Sequence, residues 1–356
     1  MNNQDLPGRL GNPKLTAAED PRIDPRVRAT LEARALLPEI DPPETNATYE
    51  ECLAYCEEFE KRAATFHPAQ LSMMPDFTSI QEWTETIRGD DGNEITLYMH
   101  RPNDIDGDLP CLVHTHGGGM VLMSAADPMF IRWRNSLSLT GMIVIGVEFR
   151  NGGGQFGNHP FPAGLNDCAA GVRWVSSNRK SLGISSIVVS GESGGGNLSI
   201  ATAIKALKEG WINEINGVYA QCPYISGEYA KPPPKLLPLV ENNGYTLSCE
   251  MMAPLVKVYD PEGSNGNNPL AWPLNATIDD LKGLPPHAIS VNELDPLRDE
   301  GLAYYRKLLS AGISATARTI NGTTHAADQA LADAIPEVFR ASVESVSGFV
   351  KALPAR

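Results

Sequence analysis

The chain predicts an α/β architecture: a mainly parallel sheet wrapped by helices. Three observations carry this. Short apolar runs alternate with amphipathic helical stretches over most of the 356 residues. A serine flanked by glycines stands where one of those runs turns into a helix. The remaining polar chemistry falls on loops that follow other runs, where ligands gather in open α/β sheets.

Taken in order, residues 1 to 75 are loop-rich, with helical pieces over Asp24–Leu37 and Tyr49–Thr65. Glu82–Arg88 and Glu94–Arg101 read as a strand pair around the turn signal Asp90-Asp91-Gly92-Asn93. Leu109–Thr115, Met142–Val147 and Ile187–Ser190 read as core strands, and a further strand ends at Tyr224. Phe161–Asn178 and Leu302–Ala311 are amphipathic helices, and Asn197–Ile204 begins another. A segment rich in proline, glycine and asparagine, about 226–275, interrupts the alternation before the strands His287–Val291 and Ala315–Ile320. The expected division is therefore an N-terminal segment over 1–75 and a main domain over 76–356 with that insertion.

A net charge of −14 argues against nucleic acid or an anionic membrane as partner. The start Met1–Pro7 shows neither a basic region nor an apolar one, so no secretory signal is expected. The run Met142–Val147 is far too short to span a bilayer. Six cysteines (52, 56, 111, 168, 222 and 249) show no disulfide or zinc spacing, which fits a reducing, cytoplasmic setting. The histidines form no metal motif, and no cofactor is implied.

Gly191-Glu192-Ser193-Gly194-Gly195 is the informative stretch. A serine on such a turn is held in a strained conformation with its hydroxyl exposed above the sheet. The following helix N-terminus adds positive potential beside any developing oxyanion. Upstream, the strand ending at Thr115 runs into His116-Gly117-Gly118-Gly119, a loop whose backbone N–H groups can point into a site unobstructed. A phosphate loop would need a lysine after the glycines, and a dinucleotide loop another glycine spacing. An acid and a histidine should follow the serine in that order. The acids cluster at 293–299 and only His325 lies beyond them. Asp295 is preferred as the first acid after the strand, with Pro296 read as the first position of a helix. Asp299 is expected in that helix's first turn and Glu293 still on the strand.

HGGG, G-E-S-G-G-G-N, D-P-L-R-D-E-G and the late histidine together resemble the bacterial hormone-sensitive-lipase-like (family IV) esterases of the α/β-hydrolase superfamily. The likeness is greatest to the brefeldin A esterase type and covers roughly residues 80 to 350. It departs at Asn151–Asn158, where a glycine-rich stretch replaces the family's usual segment before Phe161-Pro162. The resemblance implies an α/β-hydrolase fold with an eight-stranded sheet and a helical cap made of residues 1–75 and the insertion. It implies Ser193 as nucleophile, His325 as general base and Asp295 as its orienting acid. The oxyanion would be held by the N–H groups of Gly117, Gly118 and Gly194, with His116 and Glu192 supporting the loop. Tyr229, Tyr245, Met251, Met252 and Trp272 are candidates to line the pocket.

The activity so implied is hydrolysis of short- to medium-chain carboxylic esters through an acyl-enzyme, with a small-molecule ester as partner. Because the base must be neutral, activity is expected to fall on the acid side near the ordinary histidine pKa of about 6.5. A lactonase or xenobiotic ester hydrolase would use the same residues. A peptidase of the prolyl-oligopeptidase kind would need a propeller domain for which there is no room. A non-catalytic receptor on this fold, as in the plant gibberellin receptors, would be expected to lack a triad member. The resemblance also allows a homodimer through the edge strand near Arg318.

Overall fold

A computed structural model describes residues 6–34 and 40–354. The end of the helix expected over 24–37, and most of the N-terminal stretch read for a signal, lie outside the described residues. Eight strands form one sheet: β1 (Ile80–Arg88), β2 (Glu94–Pro102), β3 (Leu109–Thr115), β4 (Ile143–Val147), β5 (Ile184–Glu192), β6 (Gly217–Gln221), β7 (His287–Asn292) and β8 (Ala315–Ile320). Their spatial order is β1-β2-β4-β3-β5-β6-β7-β8. β2 runs antiparallel to β1 and β4, and the remaining pairs are parallel.

Burial follows the pairing. β4, β6 and β7 are buried at every position, as strands covered on both faces must be. β1, at the edge, alternates instead. Val188 faces Leu112, Val144 and Tyr219 on one side of the sheet. Its neighbour Val189 joins Val113 and Ile145 on the other.

Three helices precede the sheet: α1 (Pro25–Arg34), α2 (Tyr49–Ala64) and α3 (His67–Ser72). α2 starts at Thr48, whose hydroxyl accepts from the Glu51 N–H while the Glu51 carboxylate accepts from the Thr48 N–H. α4 (Pro128–Ser138), α5 (Ala163–Ser177), α6 (Arg179–Leu182) and α7 (Gly194–Glu209) follow within the parallel half. The insertion carries α8 (Pro238–Glu241) and α9 (Cys249–Tyr259), and α10 (Ile278–Leu281) follows it. The last helices are α11 (Arg298–Ser310), α12 (Ala327–Ala330) and α13 (Pro336–Ala352). α4 and α13 cover the Val188 face, and α5 and α7 the Val189 face. Among the described residues no helix is long and apolar enough to cross a membrane. All six cysteines are buried free thiols.

Three sequence expectations shift. The strand expected to end at Tyr224 ends at Gln221, because Cys222 turns to φ 33° ahead of Pro223. The helix after β7 begins at Arg298 rather than Pro296, leaving residues 293–297 as the turn that carries the acids, with Glu293 past the strand end. α7 begins at Gly194, so its glycines form its first turn.

Those glycines set how closely α7 approaches β3. A Cβ at Gly195 would lie 1.9 Å from the Thr115 carbonyl oxygen, and one at Gly191 would lie 2.2 Å from the same atom. The Thr115 hydroxyl closes the contact by donating to the Gly195 carbonyl at 2.7 Å. Gly195→Ala is therefore expected to destabilise by more than about 4 kcal/mol, since rigid backbone stands where the methyl must go. Urea unfolding tests this: a midpoint like the wild type would mean that α7 can move off β3.

Candidate active site

Ser193 is the residue between β5 and α7, at φ 56° and ψ −119°. Such a conformation costs a non-glycine residue about 1–3 kcal/mol and survives only where the surroundings enforce it. Here both of its backbone groups are tied to the segment after β6. The Ser193 N–H donates to the Gln221 carbonyl at 2.9 Å, and its carbonyl accepts from Tyr224 N at 3.0 Å and Asn197 N at 3.1 Å. The side chain is consequently lifted clear of the sheet, beside the first turn of α7.

The glycine loop after β3 folds across from it. Glu192, buried at the end of β5, holds the loop's root: its Oε1 accepts from the Gly117 N–H at 2.7 Å and its Oε2 lies 2.9 Å from His114 Nε2. This corrects one expectation. The Gly117 N–H is already bonded and is not free to meet an oxyanion. The N–H groups of Gly118 and Gly119, at φ 105° and 64°, and of Gly194 make no such bond among the described residues. A Cβ on Gly194 would stand 2.6 Å from Gly119 N, so the two backbones meet at this point. The signal in the sequence was Glu192 itself, an acid beside the serine and able to reach back to the loop.

His116 stacks on Phe149, with ring centroids 4.2 Å apart, and its Nδ1 lies 2.7 Å from the Gly117 carbonyl, to which it donates. Burial pushes this imidazole down to about 3, so it is neutral at ordinary pH and serves to pin the loop.

Asp295 is fully buried in the turn after β7. Its Oδ1 accepts from Leu297 N at 2.9 Å, and its Oδ2 faces His325 Nδ1 at 2.8 Å. The histidine sits in the loop after β8, and that loop is tied to the end of β7. Asn292 donates to Thr323 Oγ1 at 2.8 Å and accepts from Ala326 N at 3.2 Å. With its Nδ1–H donating to Asp295, the neutral His325 imidazole leaves Nε2 as an acceptor. Burial lowers the imidazole's affinity for a proton, but the Asp295 carboxylate bonded to it outweighs this, and the pKa is raised well above 6.5. The other acids are engaged elsewhere: Glu293 accepts from Gly322 N at 2.8 Å, and Asp299 pairs with Arg298 at 2.9 Å.

Cys222, Asp295 and His325 bring three donor atoms within 4.8 Å of one another. Burial pushes the Cys222 thiol up, so it is protonated at neutral pH, and the carboxylate and imidazole are bonded to each other. The trio is a poor metal site on that chemistry.

Ser193, His325 and Gly117–Gly119 line one cavity of about 170 Å³. Its walls are Tyr55 and Phe59 of α2, Leu122 and Met123 of the loop, Met129 and Phe130 of α4, Tyr224, and Leu247, Met251, Met252 and Leu255 of the insertion. Met251 and Met252 therefore line it as expected. Tyr229, Tyr245 and Trp272 do not: the Tyr229 hydroxyl donates to Glu300, that of Tyr245 donates to Asp20, and Trp272 packs under Gly227. Tyr55 and Phe59 were legible as an i, i+4 pair, although nothing local says what that face covers. A larger cleft of about 1050 Å³ opens between residues 42–47 and α9; Tyr229 lines it, and Ser193 and His325 do not.

A serine on a strained strand–helix turn, a histidine–carboxylate pair and a loop of open N–H groups are the arrangement that α/β-class hydrolases use. The chain matches a family model described as the alpha/beta hydrolase fold over residues 112–329. It superposes on a solved brefeldin A esterase, described as a bacterial homologue of human hormone-sensitive lipase, with a TM-score of 0.91 and 42% identity, covering 97% of this chain and 98% of that one. It is 30% identical over 252 residues to carboxylesterase NlhH of Mycobacterium tuberculosis, covering 69% of this chain and 75% of the relative. It is 32% identical over 220 residues to an arylesterase of Saccharolobus solfataricus, covering 60% and 67%. The chain belongs to the α/β-hydrolase family, in its hormone-sensitive-lipase-like branch, and is a carboxylic ester hydrolase.

The raised pKa of His325 moves the expected acid limb. A base must be neutral to accept a proton, so kcat/KM should rise with pH through a pKa above 6.5 rather than near it. Asp295→Asn removes the carboxylate that raises it; kcat should fall about 10⁴-fold and the limb move to lower pH. A pH–rate profile of both proteins checks this, and an unmoved limb in the variant would count against His325 as the titrating group.

Proposed function

We propose that this protein is a serine carboxylesterase for small esters, in which Ser193 is the nucleophile, His325 the general base and Asp295 its orienting acid. The observation that carries the reading is the pairing of Asp295 with His325 Nδ1 at 2.8 Å in a cavity that also holds Ser193. Nε2 takes the Ser193 proton as Oγ attacks the ester carbonyl, forming a tetrahedral intermediate. The N–H groups of Gly118, Gly119 and Gly194 meet the oxyanion. Each such donor is worth roughly 3 kcal/mol in comparable enzymes. The alcohol leaves with the proton from His325, and water repeats the sequence on the acyl-enzyme.

The N-terminal segment over 1–75 and the insertion over 226–275 act together as the cap. α2 and α9 support this, each placing apolar side chains in the cavity wall. About 170 Å³ of apolar space is what a benzene-sized group fills, since an engineered protein cavity of about 150 Å³ accepts benzene. Short acyl chains fit it and long ones do not. The name arylesterase, carried by one relative, is compatible with an aromatic leaving group here.

Hydrolysis of p-nitrophenyl esters from acetate to palmitate tests the reading. Activity is expected to peak at about four to six acyl carbons, the size of the cavity, with palmitate at background. Ser193→Ala should lower kcat by about 10⁶-fold while leaving the fold intact. A folded Ser193→Ala protein with wild-type turnover would sink the assignment. A maximum at long chains would sink the acyl-length part alone.

A further inference from the structure

Residues 118–123 turn sharply after the glycine loop, and they do so with unusual backbone. Gly118 and Gly119 lie at φ 105° and 64°, and the non-glycine residues Met120 and Met123 lie at φ 61° and 73°. Two strained non-glycine residues cost on the order of 1–3 kcal/mol each unless something outside the turn holds them. Within the turn, Val121 N and Leu122 N both donate to the Gly118 carbonyl at 3.1 and 3.0 Å, so the position of Gly118 depends on where 121–123 are held.

The restraints come from two segments that are not part of the sheet. The glycine-rich stretch after β4 supplies one set: Gly152 N donates to the Met120 carbonyl and Gly153 N to the Val121 carbonyl, both at 3.0 Å, and Asn151 Nδ2 donates to the Met123 carbonyl at 2.6 Å. The other restraint is a single side chain from the N-terminal helix. Glu60 of α2 accepts from Met123 N at 2.7 Å with one carboxylate oxygen and from Gln155 N at 2.6 Å with the other. The Met123 peptide is thus gripped at its N–H by α2 and at its carbonyl by Asn151. Gly154 leaves the space for this: at φ 64°, a Cβ there would lie 2.7 Å from Glu60 Oε2.

We infer that Glu60 is a positioning residue for ester hydrolysis, joining α2 to the turn that carries Gly118 and Gly119 and so setting the direction of their N–H groups. The inference rests on the oxyanion reading proposed above. One carboxylate accepting from two N–H groups of different loops, a half-buried one at Met123 and an exposed one at Gln155, does what no neutral side chain does there. A glutamine offers one acceptor oxygen and turns an NH₂ donor toward the second N–H. It also gives α2 a part in turnover that is separate from the cavity wall formed by Tyr55 and Phe59. Losing wall contacts weakens substrate binding, whereas misdirecting the oxyanion donors weakens only the transition state.

The experiment compares Glu60→Gln and Glu60→Asp with the wild type on p-nitrophenyl butyrate, alongside inhibition by an aryl trifluoromethyl ketone. The ketone forms a hemiketal with the nucleophilic serine and places its oxyanion on the same donors. Glu60→Gln is expected to lower kcat about tenfold with KM within about twofold, a change of about 1.4 kcal/mol in the barrier. The ketone's Ki should rise by the same factor while the Ki of p-nitrophenol stays put. Glu60→Asp, which keeps both acceptors on a shorter arm, should recover part of the loss. A variant with lowered thermal midpoint but unchanged kcat and ketone Ki would overturn the inference, as would a rise in KM alone. If Glu60→Gln does not fold, Asn151→Ala frees the same peptide from its other side and must show the same kcat and ketone pattern. Wild-type protein inactive on every ester, or active without Ser193, would instead remove the oxyanion reading on which the inference stands.

Discussion

Ser193 keeps a left-handed backbone because its N–H and carbonyl are both bonded to the chain that leaves β6, through Gln221 and Tyr224. Most of the site depends on that clamp. It lets α7 begin at the very next residue, which brings the helix N-terminus beside the serine. It also forces α7 against β3, where Gly191 and Gly195 are needed because the Thr115 carbonyl occupies the space a side chain would take. Fixing β3 in turn fixes the root of the glycine loop. A change in the β6 end would therefore reach the glycine loop as well as the serine.

Behind the loop lies a set of buried polar groups whose charges are balanced by one another. Glu192 is satisfied by Gly117 N and His114. Glu148, pushed up by burial, accepts from Ser124 Oγ at 2.7 Å and Ala125 N at 3.0 Å. Arg134 is fully buried, which lowers it to about 10, yet it stays charged at neutral pH. It donates to His100 Nε2 at 2.8 Å and to the Ala125 carbonyl at 2.7 Å. Removing any one member would strand another without its partner in low dielectric, so the network resists small rearrangement. A preorganised loop needs that stiffness, because donors that must reorient at the moment of reaction give up part of what they contribute.

The pair α2 and α9, proposed as the cap, contrasts with this. α2 packs on α9 and reaches the site through side chains only: apolar ones in the wall and Glu60 on the turn. Such an arrangement lets substrate size be set by residues that the sheet does not constrain. Meanwhile the proposed catalytic groups stand at the carboxyl ends of β3, β5, β7 and β8, where loops from parallel strands converge.

What the amino-acid order settled by itself was whatever is local or periodic. The strands read from apolar runs, α2 as a helical piece over Tyr49–Thr65, the elbow from G-x-S-x-G, and the Asp295 and His325 positions from their place after strands β7 and β8. What only the folded chain decided were the long-range partners. Glu192, next to the serine in sequence, reaches 75 residues back to claim Gly117 N. Pro296 ends up in a turn ahead of the helix rather than inside it, with Asp295 Oδ1 accepting from Leu297 N. Tyr229, Tyr245 and Trp272 looked like pocket residues, yet their polar atoms or faces found partners in Glu300, Asp20 and Gly227. The physical reason is the same in each case. A side chain's preferred neighbour of complementary polarity or shape is set by three-dimensional proximity. Proximity between segments tens of residues apart exists only once the sheet has closed.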